Sequence, residues 1–210
     1  EINKSLAIDL GISNLASCVI TDNTSFIIDG KYLKSLNRLY NKKKASLQSK
    51  LPKGIYTSKK IRNLNEKRNH QIDDYLNKAV STLIKKCKEL EVDEIIIGYN
   101  KGFKKYGIKN EELKGKEKRQ VNQNFVQIPL SRFKDKLKLK AYENGIYVRV
   151  INESYTSKSS FYDNDPIKKN QYSGTRIRRG LYETKNKRIV NADINAALNI
   201  YKKYIIKSNS

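Results

Sequence analysis

The alternation of apolar and polar positions divides the chain into short strands and longer helices. Three short apolar runs separated by turn residues predict a β-meander at residues 5–10, 15–20 and 25–28. From residue 31 the apolar positions recur at helical spacing, which predicts two helices, at residues 31–51 and about 58–90.

The second half of the chain alternates between strands and helices. The continuous β-branched run at residues 94–99 is typical of a strand covered on both faces. We predict a flexible polar loop at 100–123, a helix at 129–143, a strand at 146–151 and a last helix at 191–205. This order of elements favours one α/β domain, residues 1–210, in which helices flank a mixed sheet.

The charge of the chain indicates its partner. Lysine and arginine total 44 against 21 acidic residues, a formal net charge of +23. Such an excess repels itself in a compact fold unless a polyanion neutralises it, and nucleic acid is the usual polyanion. The lysine-rich surface of a thermophilic protein is the alternative, but it normally carries matching glutamate, which this chain lacks.

The cysteine and histidine content excludes some kinds of site. With only Cys18, Cys87 and His70, no disulfide framework and no cysteine-based zinc site can be built. His70 lies among charged residues, which favours a surface or packing role. The apolar runs are of strand length and no signal peptide is visible, so we expect an intracellular, cytoplasmic protein. Because the chain opens at Glu1 and has no methionine, we expect a fragment of a longer protein.

The two predicted helices between residues 31 and 91 form a basic helical arm. Its outer face carries lysines and arginines with few acidic partners, namely Lys59, Lys60, Arg62, Lys67 and Arg68. This pattern fits either a solvated helix face or the lining of a groove for a nucleic-acid duplex.

Two aspartates occupy positions that suggest chemistry. Asp9 interrupts an apolar strand between Ile8 and Leu10, where a carboxylate is costly unless it binds a cation or accepts hydrogen bonds. It is either a metal ligand or a cap for the turn at Gly11. Asp193 lies in the first turn of the last helix, where an acid also complements the helix dipole. Together, the two could converge on one sheet edge.

Phosphodiester hydrolysis with two Mg²⁺ ions about 3.5–4 Å apart needs several carboxylates, because Mg²⁺ prefers hard oxygen ligands. At this point the sequence resembles the RuvC-type nuclease domain of the TnpB (OrfB-type) family. The resemblance spans about Leu6 to Tyr204 and is carried, in order, by LAIDLGISNLA, IIIGYNKG, NQNFVQIPLSRF, ESYTSKSSF and NADINAALNI.

The resemblance implies an RNase H-like fold with a five-stranded sheet and an acidic Mg²⁺ site, at which Mn²⁺ should substitute. It also implies an insertion-sequence, RNA-guided endonuclease, whose partners are a DNA substrate and, in the full-length protein, a guide RNA. By motif, Asp9 takes the place of the first catalytic aspartate and Asp193 that of the last.

One departure from the family concerns the acid usually found after the fourth strand. Gly98 stands where that glutamate is expected, and Asp93 and Glu94 lie at the wrong end of the strand. The replacement we predict is Glu153. Since neighbouring strands lie about 4.8 Å apart, its side chain would extend over space that Gly98 leaves empty. The alternative is that Glu153 is a surface acid and the domain is catalytically inactive.

A second departure is the segment 154–190, where many family members carry a zinc ribbon. It has no cysteine and no histidine, so no zinc is expected. We expect a loop-rich insert, ordered poorly or only by nucleic acid. Its basic cluster would either contact phosphates or belong to a disordered loop; these residues are Arg176, Arg178 and Arg179.

Further polar residues accompany these motifs. Ser157 and Lys158 follow Glu153 closely and are candidates for binding the scissile phosphate, and Asn195 is a weaker candidate for a supporting role. A group of polar residues could bind a sugar-phosphate backbone or cap the next helix; its members are Asn122, Gln123, Asn124 and Gln127.

Three functions remain open from the sequence. The first is a Mg²⁺-dependent DNA endonuclease domain in which Asp9, Glu153 and Asp193 hold the metals. The second is a nuclease-inactive, RNA-guided DNA-binding module resembling a repressor, which the glycine at position 98 favours. The third, a general RNA-binding protein, would need aromatic stacking platforms on a sheet, whereas the tyrosines here are scattered.

Overall fold

A mixed five-stranded sheet forms the centre of the molecule. The structure is a computed structural model that describes residues 3–100 and 128–209. The strands are β1 (Ser5–Leu10), β2 (Asn14–Ile20), β3 (Ser25–Asp29), β4 (Glu94–Gly98) and β5 (Tyr147–Ile151). The helices are α1 (Lys31–Gln48), α2 (Lys59–Glu89), α3 (Leu130–Tyr142) and α4 (Ala192–Ser208).

The strand order is β3-β2-β1-β4-β5. Strands β1, β2 and β3 form the predicted antiparallel meander, while β4 and β5 run parallel to β1. The α/β fold with a mixed five-stranded sheet is confirmed, and β4 lies between β1 and β5. The carboxyl ends of β1, β4 and β5 therefore meet at one edge of the sheet.

The two faces of the sheet are covered by different helices. Leu6, Ile8 and Leu10 on β1 point into the main core, which includes apolar residues of α2 and α3. The intervening residue Ala7 points to the opposite face, where it packs with Ile200 of α4. Because side chains alternate along a strand, Asp9 shares the α4 face with Ala7.

The last helix lies close against the sheet because its inner face is built from small residues. Ala192, Ala196 and Ala197 are buried, and α4 packs on β1, β2 and β4. Asn191 caps the helix, since its side-chain oxygen accepts hydrogen bonds from the backbone N–H groups of Asp193 and Ile194. This cap determines where the first turn, with its aspartate, begins.

The basic arm consists of α1 packed against the N-terminal part of α2. The 31 residues of α2 span about 46 Å at the usual helical rise. Its C-terminal half is buried in the main core through Ile72, Leu76 and Leu83. The arm is thus anchored in the domain at one end. His70, for which we expected a surface or packing role, is exposed on α2.

The insert at 154–190, for which we expected a poorly ordered loop, contains some regular structure. The segment contains a second sheet of three short antiparallel strands in the order β6-β7-β8, with bounds Thr175–Arg178, Leu181–Glu183 and Ile189–Asn191. These strands are three or four residues long and mostly exposed, so their apolar pattern is too weak to reveal them.

A buried carboxylate accepts several hydrogen bonds within this insert, which has no cysteine and no histidine. Asp165 accepts from the backbone N–H of Ser160 at 2.7 Å and of Ser173 at 3.0 Å, and also from the Ser173 hydroxyl. The ring of Tyr182 is fully buried, and its hydroxyl donates to the Lys158 carbonyl at 2.8 Å. Tyr182 lies on the central strand of the small sheet, and Asp165 ties together the segment that precedes it.

Some predictions fall outside the described residues. The flexible loop expected at 100–123 lies outside them apart from Asn100. The polar group Asn122, Gln123, Asn124 and Gln127 lies outside them too. No helix in the described ranges combines the length and the apolar character needed to cross a bilayer.

Candidate active site

The structure brings the three predicted acids to one cleft at the carboxyl ends of the parallel strands. Asp9 lies near the end of β1, Glu153 follows β5 by two residues, and Asp193 lies in the first turn of α4. All three line a cavity of about 660 Å³, which we call the acidic cleft.

Asp9 lies at the floor of this cleft and has an unfavourable electrostatic environment. The surrounding protein removes most of its solvent, and this burial raises the pKa of its carboxyl well above the usual range. The negative charges of Glu153 and Asp193 raise this pKa further, while the guanidinium of Arg176 opposes them. The charges of both other acids therefore act on Asp9.

Glu153 is held at the start of a tight turn. Its carbonyl oxygen accepts hydrogen bonds from the Thr156 hydroxyl at 2.7 Å and the Thr156 backbone N–H at 3.2 Å. Burial raises the pKa of the Glu153 carboxyl to about 7, and the positive charge of Lys203 opposes this shift. Glu153 is thus a partly buried acid facing the cleft, not a surface acid.

The space beside Gly98 is not empty, contrary to the expectation from the sequence. A Cβ atom at this position would lie 2.3 Å from Cδ1 of Ile200 and 3.3 Å from Cβ of Glu153. The isoleucine of α4 fills the position, and Glu153 passes next to it. An acidic side chain at residue 98 would therefore require the Ile200 side chain or α4 itself to move.

We expect Gly98→Ala to destabilise the fold by about 1–3 kcal/mol, since fully buried Ile200 cannot easily retreat. Ile200→Ala alone should also destabilise by leaving a cavity. The double variant should be less destabilised than the sum of the two, as measured by urea unfolding. Strict additivity would show that the two positions do not compete for space.

Asp193 forms two polar contacts within the cleft. Its carboxylate accepts a hydrogen bond from the Asn14 side-chain amide at 2.8 Å and pairs with the Arg176 guanidinium at 3.3 Å. Arg176 belongs to β6 of the insert. The insert therefore supplies a positive charge to the same acids that the central sheet and α4 bring together.

The donor set of the cleft suits a hard divalent cation, since it consists of carboxylates from three elements. In the described parts of the chain, however, no three acidic, histidine or cysteine side chains have the mutual arrangement of ligands on one ion. Arg176 and Asn14 occupy the Asp193 carboxylate instead. The oxygen atoms of these residues are of the type that such a cation prefers. Their side chains, however, are not arranged around one common point as the ligands of a bound ion would be.

Two buried asparagines of α4 hold the segment after Glu153, and one of them was missed by the sequence analysis. Asn195 accepts from the Phe161 N–H and donates to the Ser159 carbonyl, both at 2.9 Å. Asn199 donates to the carbonyls of Thr156 and Ser159. Amides at i and i+4 in an apolar helix were the available signal.

The predicted basic residues divide into three groups. Arg176 and Arg179 line the acidic cleft together with Ser157, whereas Arg178 and Lys158 are exposed outside its lining. Lys59, Lys60 and Arg62 are exposed at the start of α2, so their contact with nucleic acid stays a prediction.

Arg68 has a different environment from the other basic residues of the arm. Its Nε donates to the Asn37 side chain at 2.8 Å, and its guanidinium lies 4.8 Å from the centre of the Tyr40 ring. These contacts join α2 to α1, so Arg68 holds the arm together. Its proposed phosphate contact is untested.

The acid nearest to Gly98 in sequence has a structural role. Glu94 is almost fully buried at the opposite end of β4, where it accepts from the Ser5 hydroxyl, the Arg149 guanidinium and the Tyr204 hydroxyl. This placement confirms that Glu94 lies at the wrong end of the strand for the cleft.

Comparison with known proteins agrees with this architecture. The family model OrfB_IS605, described as a probable transposase, matches residues 1–104, and the Cas12f1-like TNB domain model matches residues 131–200. TnpB-like protein ORF457 of Acidianus two-tailed virus is 28% identical over 214 residues. The chain is thus similar in sequence to TnpB-type proteins.

The alignment with ORF457 covers 97% of this chain but 42% of the relative, so the chain spans less than half of that protein's length. Among solved structures, the Cas12f1–sgRNA–target DNA complex matches with a TM-score of 0.64 at 19% identity, over 95% of this chain and 50% of that one. A CRISPR-Cas12f ternary complex matches with a TM-score of 0.65 at 19% identity, over 95% and 38%. These likenesses show the RuvC-like fold.

Proposed function

We propose that this chain is the Mg²⁺-dependent nuclease domain of a TnpB-type, transposon-encoded, RNA-guided DNA endonuclease. The observation that carries the proposal is the meeting of Asp9, Glu153 and Asp193 in one cleft, where burial and the charges of the other two acids raise the pKa of Asp9. A fold keeps such a costly arrangement where a cation compensates it, and groups with raised pKa values cluster at functional sites.

In this proposal the three carboxylates hold divalent cations, with Mn²⁺ able to replace Mg²⁺. The bound cations would activate the attacking water and stabilise the leaving oxygen of the phosphodiester. The protein's own part is to present three oxygen ligands from separate elements. Arg176 would leave the Asp193 carboxylate and become available to a phosphate.

The substrate and partners are proposed from the charge and the family. The net charge of +23 and the exposed basic face of the arm favour a nucleic-acid partner. The related structures are described as complexes with guide RNA and target DNA. We therefore propose a DNA strand as the substrate and a guide RNA as the partner of the longer protein.

The direct test is Mg²⁺-dependent cleavage of labelled single-stranded DNA by this chain. We expect nicking with Mg²⁺ or Mn²⁺, none with EDTA, and loss of cleavage in Asp193→Asn. Asp135→Asn is the matched control, because it removes the same charge at an exposed position of α3. Mn²⁺ binding, followed by electron paramagnetic resonance, should show the same ranking.

DNA binding with neither cleavage nor bound Mn²⁺ would contradict the proposal. That result would instead favour the nuclease-inactive DNA-binding module.

A further inference from the structure

A pair of positive charges converges on one hydroxyl at the rim of the acidic cleft. Lys34 donates to the Ser13 hydroxyl oxygen at 3.1 Å, and the guanidinium of Arg179 donates to the same oxygen. We call Ser13, Lys34 and Arg179 the Ser13 cluster. Its members come from the β1–β2 loop, the first turns of α1 and the β6–β7 turn.

Two glycines make this convergence possible. A Cβ at Gly30 would lie 2.5 Å from the Ile12 carbonyl oxygen, so only glycine lets the start of α1 approach the β1–β2 loop this closely. The Gly30 N–H donates to the Ser13 carbonyl at 2.8 Å. At the other side, Gly180 has a φ of +79° and makes the tight turn that presents Arg179.

The cluster lacks a negative partner. Within the described residues, neither Lys34 nor Arg179 forms an ion pair. The nearest acid to act on Lys34 is Asp29, whose carboxylate accepts from the backbone N–H of Lys31 at 2.9 Å. Burial, followed by the charge of Arg179, lowers the pKa of Lys34. Two like charges on one neutral hydroxyl favour an anion there.

We propose that the Ser13 cluster binds one backbone phosphate of the DNA strand that enters the acidic cleft. Ser13 and Arg179 line the same cleft as Asp9, Glu153 and Asp193. Acids alone would repel a DNA strand, so a cationic phosphate site at the rim anchors the strand while the acids remain available for cations. This inference rests on the proposed function, and it gives Lys34 and Ser13 a role that the sequence did not reveal.

The test measures binding of labelled single-stranded DNA in EDTA, so that no strand is cut. We expect Lys34→Ala and Arg179→Ala each to weaken binding about fivefold and to reduce the slope of log affinity against log salt by about 0.7. Because both contact one phosphate, the double variant should be little weaker than either single variant.

The controls separate the cluster from general charge. Lys31→Ala removes an exposed positive charge on the same turn of α1 and should weaken binding less than Lys34→Ala. Thermal melting confirms that each variant is folded, and Lys34→Gln and Arg179→Gln replace any variant that is not. Ser13→Ala should give a smaller loss in the same direction.

Three results would overturn the inference. The first is that Lys34→Ala and Arg179→Ala weaken DNA binding no more than Lys31→Ala does. The second is that the losses add in the double variant and the change in the salt slope doubles. The third is that the variants lose more affinity for RNA than for DNA of the same sequence. The inference and the proposed function can fail separately. Lost affinity without any cleavage contradicts the nuclease alone, while Asp9-dependent cleavage with unchanged affinity contradicts the phosphate site alone.

Discussion

Asp9→Asn should abolish metal-dependent cleavage and at the same time stabilise the metal-free protein. Cleavage should fall by about 10³-fold or more, because Asp9 is a proposed ligand at the centre of the acid group. In EDTA at pH 8, the free energy of unfolding should rise by about 1–3 kcal/mol. The substitution removes a charge that burial and two neighbouring carboxylates destabilise.

These opposite effects separate a metal ligand from a residue that merely supports the fold. A supporting residue would lose activity together with stability. Mn²⁺ should raise the melting temperature of the wild-type chain but not that of Asp9→Asn, since a cation stabilises the state that binds it. Asp135→Asn, at an exposed position, should change neither the rate of cleavage nor the free energy of unfolding. Mg²⁺-dependent cleavage that persists in Asp9→Asn would rule the proposed site out.

Glu153→Gln should remove a large part of the pH dependence of stability. Its pKa is raised from 4.5 to about 7 in the folded chain. Between these values the folded state binds more protons at Glu153 than the unfolded state does. The free energy of unfolding therefore falls as pH rises through this window, by up to about 3 kcal/mol from this group.

The measurement is urea unfolding in EDTA at pH 5 and at pH 8. Wild-type chain should be less stable at the higher pH, and Glu153→Gln should lose much of this difference. Glu143→Gln, at the exposed end of α3, should keep it. An unchanged difference in Glu153→Gln would show that its carboxyl is not held in the buried environment.

The same shift predicts how metal binding responds to pH. Carboxylates must lose their protons before they can ligate a cation, so binding releases protons. Mn²⁺ affinity should rise from pH 6 to pH 8, and calorimetry in buffers of different ionisation enthalpy should detect the released protons. Affinity that is independent of pH in this range would exclude Glu153 as a ligand.

The arrangement of the cleft also suggests how the insert takes part. Arg176 on β6 pairs with Asp193 and partly offsets the charge at Asp9. A positive side chain among the acids moderates their repulsion when no cation is bound. A segment that the sequence presented as a loop thus contributes directly to the electrostatics of the site.

The sequence was enough to predict the main sheet and helices, because the apolar positions in each strand or helix repeat at the spacing typical of that element. The apolar positions of β1 and α2 revealed their elements, and the break at Asp9 revealed a polar position in an apolar strand. The order of strands and helices was enough to suggest that Asp9 and Asp193 could converge on one sheet edge. The excess of lysine and arginine was enough to expect a nucleic-acid partner.

Only the tertiary structure decided which neighbours fill the space around those residues. The Cβ position of Gly98 is filled by Ile200, which lies 102 positions later on another element, and no local pattern reports such a contact. Within the insert, Asp165 bonds Ser160 and Ser173 and Tyr182 bonds Lys158, and these separations follow no regular period in sequence. Spacing along a chain reports the face of a residue, whereas packing density and hydrogen-bond partners depend on elements brought together by folding.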